Sequence, residues 1–201
     1  MITRFLKARH WQLFVLVFGI PLIFQLVILG LFTASSFGES SLMSEVLLSL
    51  IVIAPAWMLS LLLAWFYAVG VGLQTIVSTD LHRSTSLFKV ALIFPVVYIL
   101  LIVAVVFPLL SVMATSMMGG NFILIVIFTL HLFAMFCIFY SMYFVARGVK
   151  EAELQNQASF SDFAGEFFLI WFFPVGVWIL QPRINELVKA EGTNSTSREY
   201  V

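Results

Sequence analysis

Charge is scarce in this 201-residue chain, and cysteine is almost absent. Charged residues make up 10% of the sequence, ten basic and ten acidic, so the formal net charge is zero. A soluble domain carries about 25%. With no net positive charge and no basic patch interleaved with aromatics, nothing in the sequence points to a nucleic-acid partner. Cys137 is the single cysteine. It has no second thiol for a disulfide or a metal site, and it reads as a small apolar residue within a hydrophobic run. HExxH, GxSxG, the phosphate-binding P-loop and GxGxxG are all missing. No catalytic residue, cofactor or metal is therefore predicted, and an enzyme would need a polar cluster that the sequence does not assemble.

Apolar residues are what the chain has in excess. They form 62% of it, against about 45–50% in soluble domains, and they fall into long runs. A bilayer accommodates that much apolar surface; a soluble fold of this size does not. The first run follows Arg4, Lys7 and Arg9 and is placed at 11–33, with Trp11 as an interfacial anchor. It is too long for a signal peptide's apolar core and no small-residue cleavage pattern follows, so it reads as a retained span. The second run extends from near Glu45 to Val77, about 48 Å as helix. Its crossing is placed at 46–69, and the excess length must tilt, extend or break, with Gly70 and Gly72 as the breaking point. The third and fourth crossings are placed at 88–110 and 122–146, the linker 111–121 between them being uncharged.

Orientation follows from lysine and arginine. Arg4, Lys7 and Arg9 precede span one, Arg83 and Lys89 lie between spans two and three, and Arg147 and Lys150 close span four. The linkers after spans one and three have none. This bias places the N-terminus in the cytoplasm. The sequon Asn194-Ser195-Thr196 falls on that same side and carries no weight.

The fifth apolar segment, 160–181, is irregular. Ser159-Phe160-Ser161-Asp162 forms a capping box that starts a helix near Phe160. Pro174-Val175-Gly176 is expected to interrupt that helix. A complete crossing would also carry Arg183, Lys189 and Arg198 to the wrong side. A re-entrant or interfacial pair returning to the cytoplasm is the first expectation, and a fifth span is the alternative. Pro182 then suits the first turn of a short helix, 182–190, ahead of a disordered polar tail at 191–201. The expected fold is thus an all-α integral membrane protein with four transmembrane helices plus a fifth broken apolar segment, one domain over residues 1–190.

Three sets of residues are candidates for a functional role. Ala56, Ser60, Ala64, Ala68 and Gly72 recur every four residues on span two. In lipid, small residues let helix backbones approach closely, so this row is a candidate packing seam, within the chain or toward another protomer. Gln25 on span one and His131 on span four are polar groups near the membrane midplane. They read either as the lining of a solute path or proton relay, or as structural residues, with His131 bonded to Gln25, Ser60 or Tyr98. Asp162 and Glu166 lie one turn apart. They form a paired-carboxylate site for a cation or proton, or else serve as a cap and as compensation for the helix dipole. Asp80, His82 and Arg83 make only a weak metal or phosphate set. Prolines at 21, 55, 95, 108 and 174 interrupt apolar segments, as in transporters, but no inverted repeat accompanies them.

The stretch Ser161-Asp162-Phe163-Ala164-Gly165-Glu166-Phe167-Phe168-Leu169-Ile170-Trp171-Phe172-Phe173-Pro174-Val175-Gly176-Val177-Trp178-Ile179-Leu180-Gln181-Pro182-Arg183-Ile184-Asn185 resembles the C-terminal signature of an uncharacterised family of bacterial polytopic inner-membrane proteins. The opening His10-Trp11-Gln12-Leu13-Phe14 is similar to their N-termini. Together the two pieces cover a small part of the chain. The resemblance implies a bacterial inner-membrane protein and brings no activity with it. Two functional readings remain: a scaffold or accessory subunit that works through helix–helix contacts with a membrane-protein partner or with its own copies, and a transporter or channel for a small or lipophilic solute. In both, the lipid bilayer is the constant partner.

Overall fold

The computed structural model describes residues 2–35, 41–106 and 120–199. Among them every regular element is helical. A short helix α1 (Ile2–Leu6) turns at Lys7–Arg9 into α2 (His10–Phe14), which runs through a π-helical turn (Val15–Gly19) into α3 (Ile20–Ser35). The wider turn falls just ahead of Pro21, whose ring and missing N–H disturb regular α-helical bonding. Helix α4 (Ser41–Gly72) is continuous through Pro55 and tightens into a 3₁₀ turn at Leu73–Thr75, so the expected break falls at Gly72 and not at Gly70. Helix α5 (Ser86–Leu101) ends in a second π-helical segment, Ile102–Val106. Four helical stretches, His10–Leu31, Ala54–Thr75, Ser86–Ala104 and Leu124–Leu154, are long and apolar enough to cross a bilayer. This is a multi-pass membrane protein. Residues 111–119 of the expected linker, the end of span three and part of the turn after span one lie outside the described residues.

The fourth spanning helix, α6 (Gly120–Leu154), is longer than 122–146. No strong breaker follows Ala146, and Arg147 and Glu151 pair one turn apart along it, so it projects two further turns. Helix α7 (Phe160–Trp171) starts where the capping box predicts: the Ser159 N–H donates to Asp162 Oδ2 at 2.8 Å.

The end of the chain departs from expectation in three ways. The chain reverses at Phe172 (φ −91°, ψ 53°), two residues before Pro174, and α8 (Phe173–Glu199) runs back along α7. Pro174 therefore sits in the first turn of a helix, where no N–H is required of it, and starts an element where an interruption was expected. Gly176 is needed for the return, since a Cβ there would collide with the Leu169 carbonyl of α7. Pro182 lies inside α8 and opens no new helix; buried Leu180, Gln181 and Ile184 on either side hold the helix through it. The segment 191–199, expected as a disordered tail, continues that helix.

The interior is concentrated at one end of the bundle. Leu6, Leu13, Phe66, Leu73, Phe88 and Val145 are buried there together with Phe163 and Ile184. Toward the other end the spans are open: Ile23, Leu26, Leu29, Ile125, Phe128 and Phe136 are all exposed. In lipid such surface carries little cost, because acyl chains are as apolar as leucine.

Candidate functional site at the charged end of the bundle

The packed end is also where the charged side chains meet. Glu151 on the projecting part of α6 is fully buried, and its Oε1 accepts a hydrogen bond from Arg147 Nε at 2.8 Å. Arg83, from the loop between α4 and α5, brings Nη2 within 2.8 Å of Glu151 Oε2. Arg83 Nε finds no hydrogen-bond partner among the described residues, so this one short contact with Glu151 carries the pairing of the guanidinium. The guanidinium lies 4.7 Å from the centre of the Phe144 ring. Burial presses the Arg83 pKa below its ordinary value, and the Glu151 carboxylate opposes that shift. The Arg83 backbone N–H is held by Gln74 Oε1 at 2.9 Å.

A second ionic group joins three helices. Arg183 on α8 donates from Nε and Nη2 to the two oxygens of Glu153 on α6, both at 2.7 Å, and from Nη2 to Glu166 Oε1 on α7 at 2.7 Å. Lys150 approaches the same Glu153 and Glu166 carboxylates at 3.4 and 3.6 Å. Paired Arg–carboxylate forks of this kind fix geometry more firmly than lysine contacts.

Gln181 forms the third group. Its Oε1 accepts from Trp65 Nε1 on α4 at 2.9 Å, and its Nε2 faces the carbonyls of Phe5 and Ala8 at 3.0 and 3.1 Å. These carbonyls lie at and after the C-terminus of α1; that of Phe5 also accepts the Ala8 N–H at 3.2 Å, and the buried amide adds a second bond there. Asn185 Nδ2 adds a bond to the Ala8 carbonyl at 3.2 Å.

Beside these groups lies a polar cavity of about 600 Å³, lined by Thr75, Ser78, His82, Gln155 and Glu191 among others. Gln155 stands just past α6 at φ 49°, a left-handed conformation that favours glycine. Its side chain holds the position: Nε2 donates to the carbonyls of Ala152 (2.8 Å) and Ile76 (3.3 Å), and Oε1 accepts from the Ser78 N–H at 3.2 Å.

The residues singled out from sequence are distributed unevenly. Asp162 and Glu166 do not act as a pair: exposed Asp162 binds Ser159, while buried Glu166 faces Arg183 and Lys150. Of the seam, Ala68 and Gly72 are buried, Ala56 and Ala64 half-buried and Ser60 exposed. The partner at Gly72 is α1: a Cβ there would lie 2.5 Å from Leu6 Cδ1. Ser60 and Ala64 line a groove of about 530 Å³ between α4 and α5. His131 is exposed and meets only Tyr98 of its expected partners, Oη to Nδ1 at 3.3 Å. Gln25 is exposed on α3 and has no partner among the described residues. His82 turns to the Val77 carbonyl and Arg83 to Glu151, so the loop residues do not converge on one site.

No family model, curated protein or solved structure matches this chain. Its functional reading rests on geometry. Glu151, Glu153, Arg183, Gln181 and Trp65 were not singled out by motif. The Arg147–Glu151 spacing and the concentration of charge over 147–153 in so charge-poor a chain were signals for part of the network. Gln181 and Trp65 carried none, since their roles exist only after α8 folds back.

Proposed function

We propose that this chain is a scaffold or accessory subunit of a bacterial inner membrane, with a cytoplasmic N-terminus, acting through lateral helix–helix contacts. One observation carries the reading: Gln25 and His131 face outward from the bundle at membrane depth. An amide facing hydrocarbon without a partner is costly, and a neighbouring helix with its own polar group removes that cost. The packed, ion-paired end supports the same reading, because it holds the spans together while leaving their outer faces free. A transporter or channel would bring Gln25 and His131 to a common lumen, and their outward placement supports that alternative less well. The lysine and arginine bias supports the orientation, with Lys7 and Arg183 on the same side of the bilayer.

The test is site-specific photocrosslinking in native membranes, with a photoreactive residue at position 25 or 131 and at exposed position 100 of α5 as control. A discrete protein adduct at 25 or 131 and none at 100 is expected, with a self-adduct indicating a homo-oligomer. Equal yields at all three positions would overturn the reading.

A further inference from the structure

Seven of the ten basic residues of this protein fall into two groups. Arg83, Arg147, Lys150 and Arg183 all face carboxylates at the packed end. Arg4, Lys7 and Arg9 are exposed, and among the described residues none of them meets an acidic side chain. These three surround the elbow between α1 and α2. The elbow encloses a groove of about 480 Å³ whose lining includes Arg4, Phe5, Trp11, Gln12, Val15 and Leu16. Its walls are apolar apart from the Arg4 and Gln12 ends. Gln12 Oε1 accepts the Arg9 N–H at 3.0 Å, which fixes the side chain and leaves its Nε2 without a partner among the described residues. Trp11, half-exposed beside the groove, begins the first span, so the groove opens at the membrane interface.

We infer that the α1–α2 elbow is a binding site for one anionic phospholipid of the leaflet on the N-terminal side. The headgroup phosphate meets the Arg4 guanidinium and the Gln12 amide, and an acyl chain lies along Phe5, Val15 and Leu16. Arginine and an amide N–H suit phosphate oxygens, and the nearby Lys7 and Arg9 favour a headgroup with net negative charge. A zwitterionic lipid would place its own ammonium among three unpaired cations.

The experiment uses the full-length protein in mild detergent, titrated with phosphatidylglycerol or phosphatidylcholine and read as lipid adducts by native mass spectrometry. Phosphatidylglycerol is expected to bind more tightly, with Arg4→Gln weakening it about fivefold, the contribution of one interfacial cation. Leu16→Trp, which fills the groove and keeps the charges, is expected to lose the adduct. Lys89→Gln, at the unrelated groove between α4 and α5, is expected to change nothing, and inorganic phosphate is expected not to compete. Equal affinity for both lipids, an unchanged Arg4→Gln or Leu16→Trp, or an equal loss in Lys89→Gln would overturn the site. Full competition by phosphate would overturn it in favour of a simple anion site.

Discussion

Arg183 and Glu166 lie seventeen positions apart in sequence, yet Nη2 and Oε1 are 2.7 Å from each other. In a straight helix the same separation spans about 25 Å. The pair is therefore a direct marker of the reversal at Phe172, and it gives that reversal an electrostatic component.

Acid should loosen this end of the protein. Burial alone would raise the Glu166 pKa, but the Arg183 hydrogen bond and the nearby cations outweigh it and hold the value below the ordinary one; hydrogen bonds from Ser159 lower that of Asp162. A carboxylate with a depressed folded-state pKa stabilises fully above its unfolded value, about 4, and loses that stabilisation as pH falls through the folded value. The thermal midpoint of the detergent-solubilised protein should thus be flat from about pH 7 to 5 and fall below about 4. A fall between pH 7 and 6 would assign the dependence to histidine instead.

Glu151 should be the most sensitive charged position. Removing its carboxylate leaves Arg83 and Arg147 facing each other, and breaking a buried pair from one side costs about 3–5 kcal/mol. Glu151→Ala should lower the melting temperature far more than Glu186→Ala at an exposed position. Arg83→Met combined with Glu151→Met should recover part of the loss, because the more deeply buried arginine goes with the carboxylate and only half-buried Arg147 is left without it. Failure of the double variant to exceed Glu151→Ala would show that the contact is not limiting.

Along α4, the substitution costs should follow burial more than the four-residue pattern alone. Ala68→Leu enlarges a buried residue and should cost about 1–3 kcal/mol or more. Ala64→Leu should be milder, since that side chain borders the open groove between α4 and α5. Leu63 is itself buried, so Leu63→Ala should cost about 2–5 kcal/mol, whereas Leu61→Ala, at a partly buried position, should cost less. Thermal melts of the four variants rank them; Ala64→Leu falling below Ala68→Leu would place a tight interface at the open end of the row.

Gln155 separates backbone strain from side-chain bonding at one position. Gln155→Ala loses the bonds to Ile76, Ser78 and Ala152 and keeps the unfavourable φ, so it should be destabilised. Gln155→Gly loses the same bonds but relaxes the backbone, and it should recover about 1 kcal/mol relative to alanine. Equal stability of the two would mean that the positive φ stores no strain.

The four spans were legible because hydrophobic length is a local property, and the start of α7 because a capping box acts across three residues. The turn at Phe172 was misplaced by two residues. Proline marks both the interruption of a helix and its first turn, and only the packing against Leu169 distinguishes them. The continuation through Pro182 was missed for a related reason: buried neighbours on either side outweigh one lost hydrogen bond. The ionic network was partly legible through Arg147 and Glu151. Its remaining partners, Arg83 and Arg183, come from other elements, 68 residues before Glu151 and 30 after Glu153. Gly72, at the end of the small-residue row, found its partner in α1, a helix too short to register as a hydrophobic segment.

The amide of Gln181 reaches the carbonyls of Phe5 and Ala8 across separations of 176 and 173 residues. During synthesis those carbonyls emerge first and their partner emerges near the end. At roughly 5–20 residues per second, the N-terminal elbow waits about 9–35 s before it can be closed. All four spans can enter the bilayer in that interval, but they lack the element that locks their common end. Ribosome-bound chains ending before residue 181 should therefore be inserted and still protease-sensitive at the elbow, and release of the final segment should be the event that completes the protein.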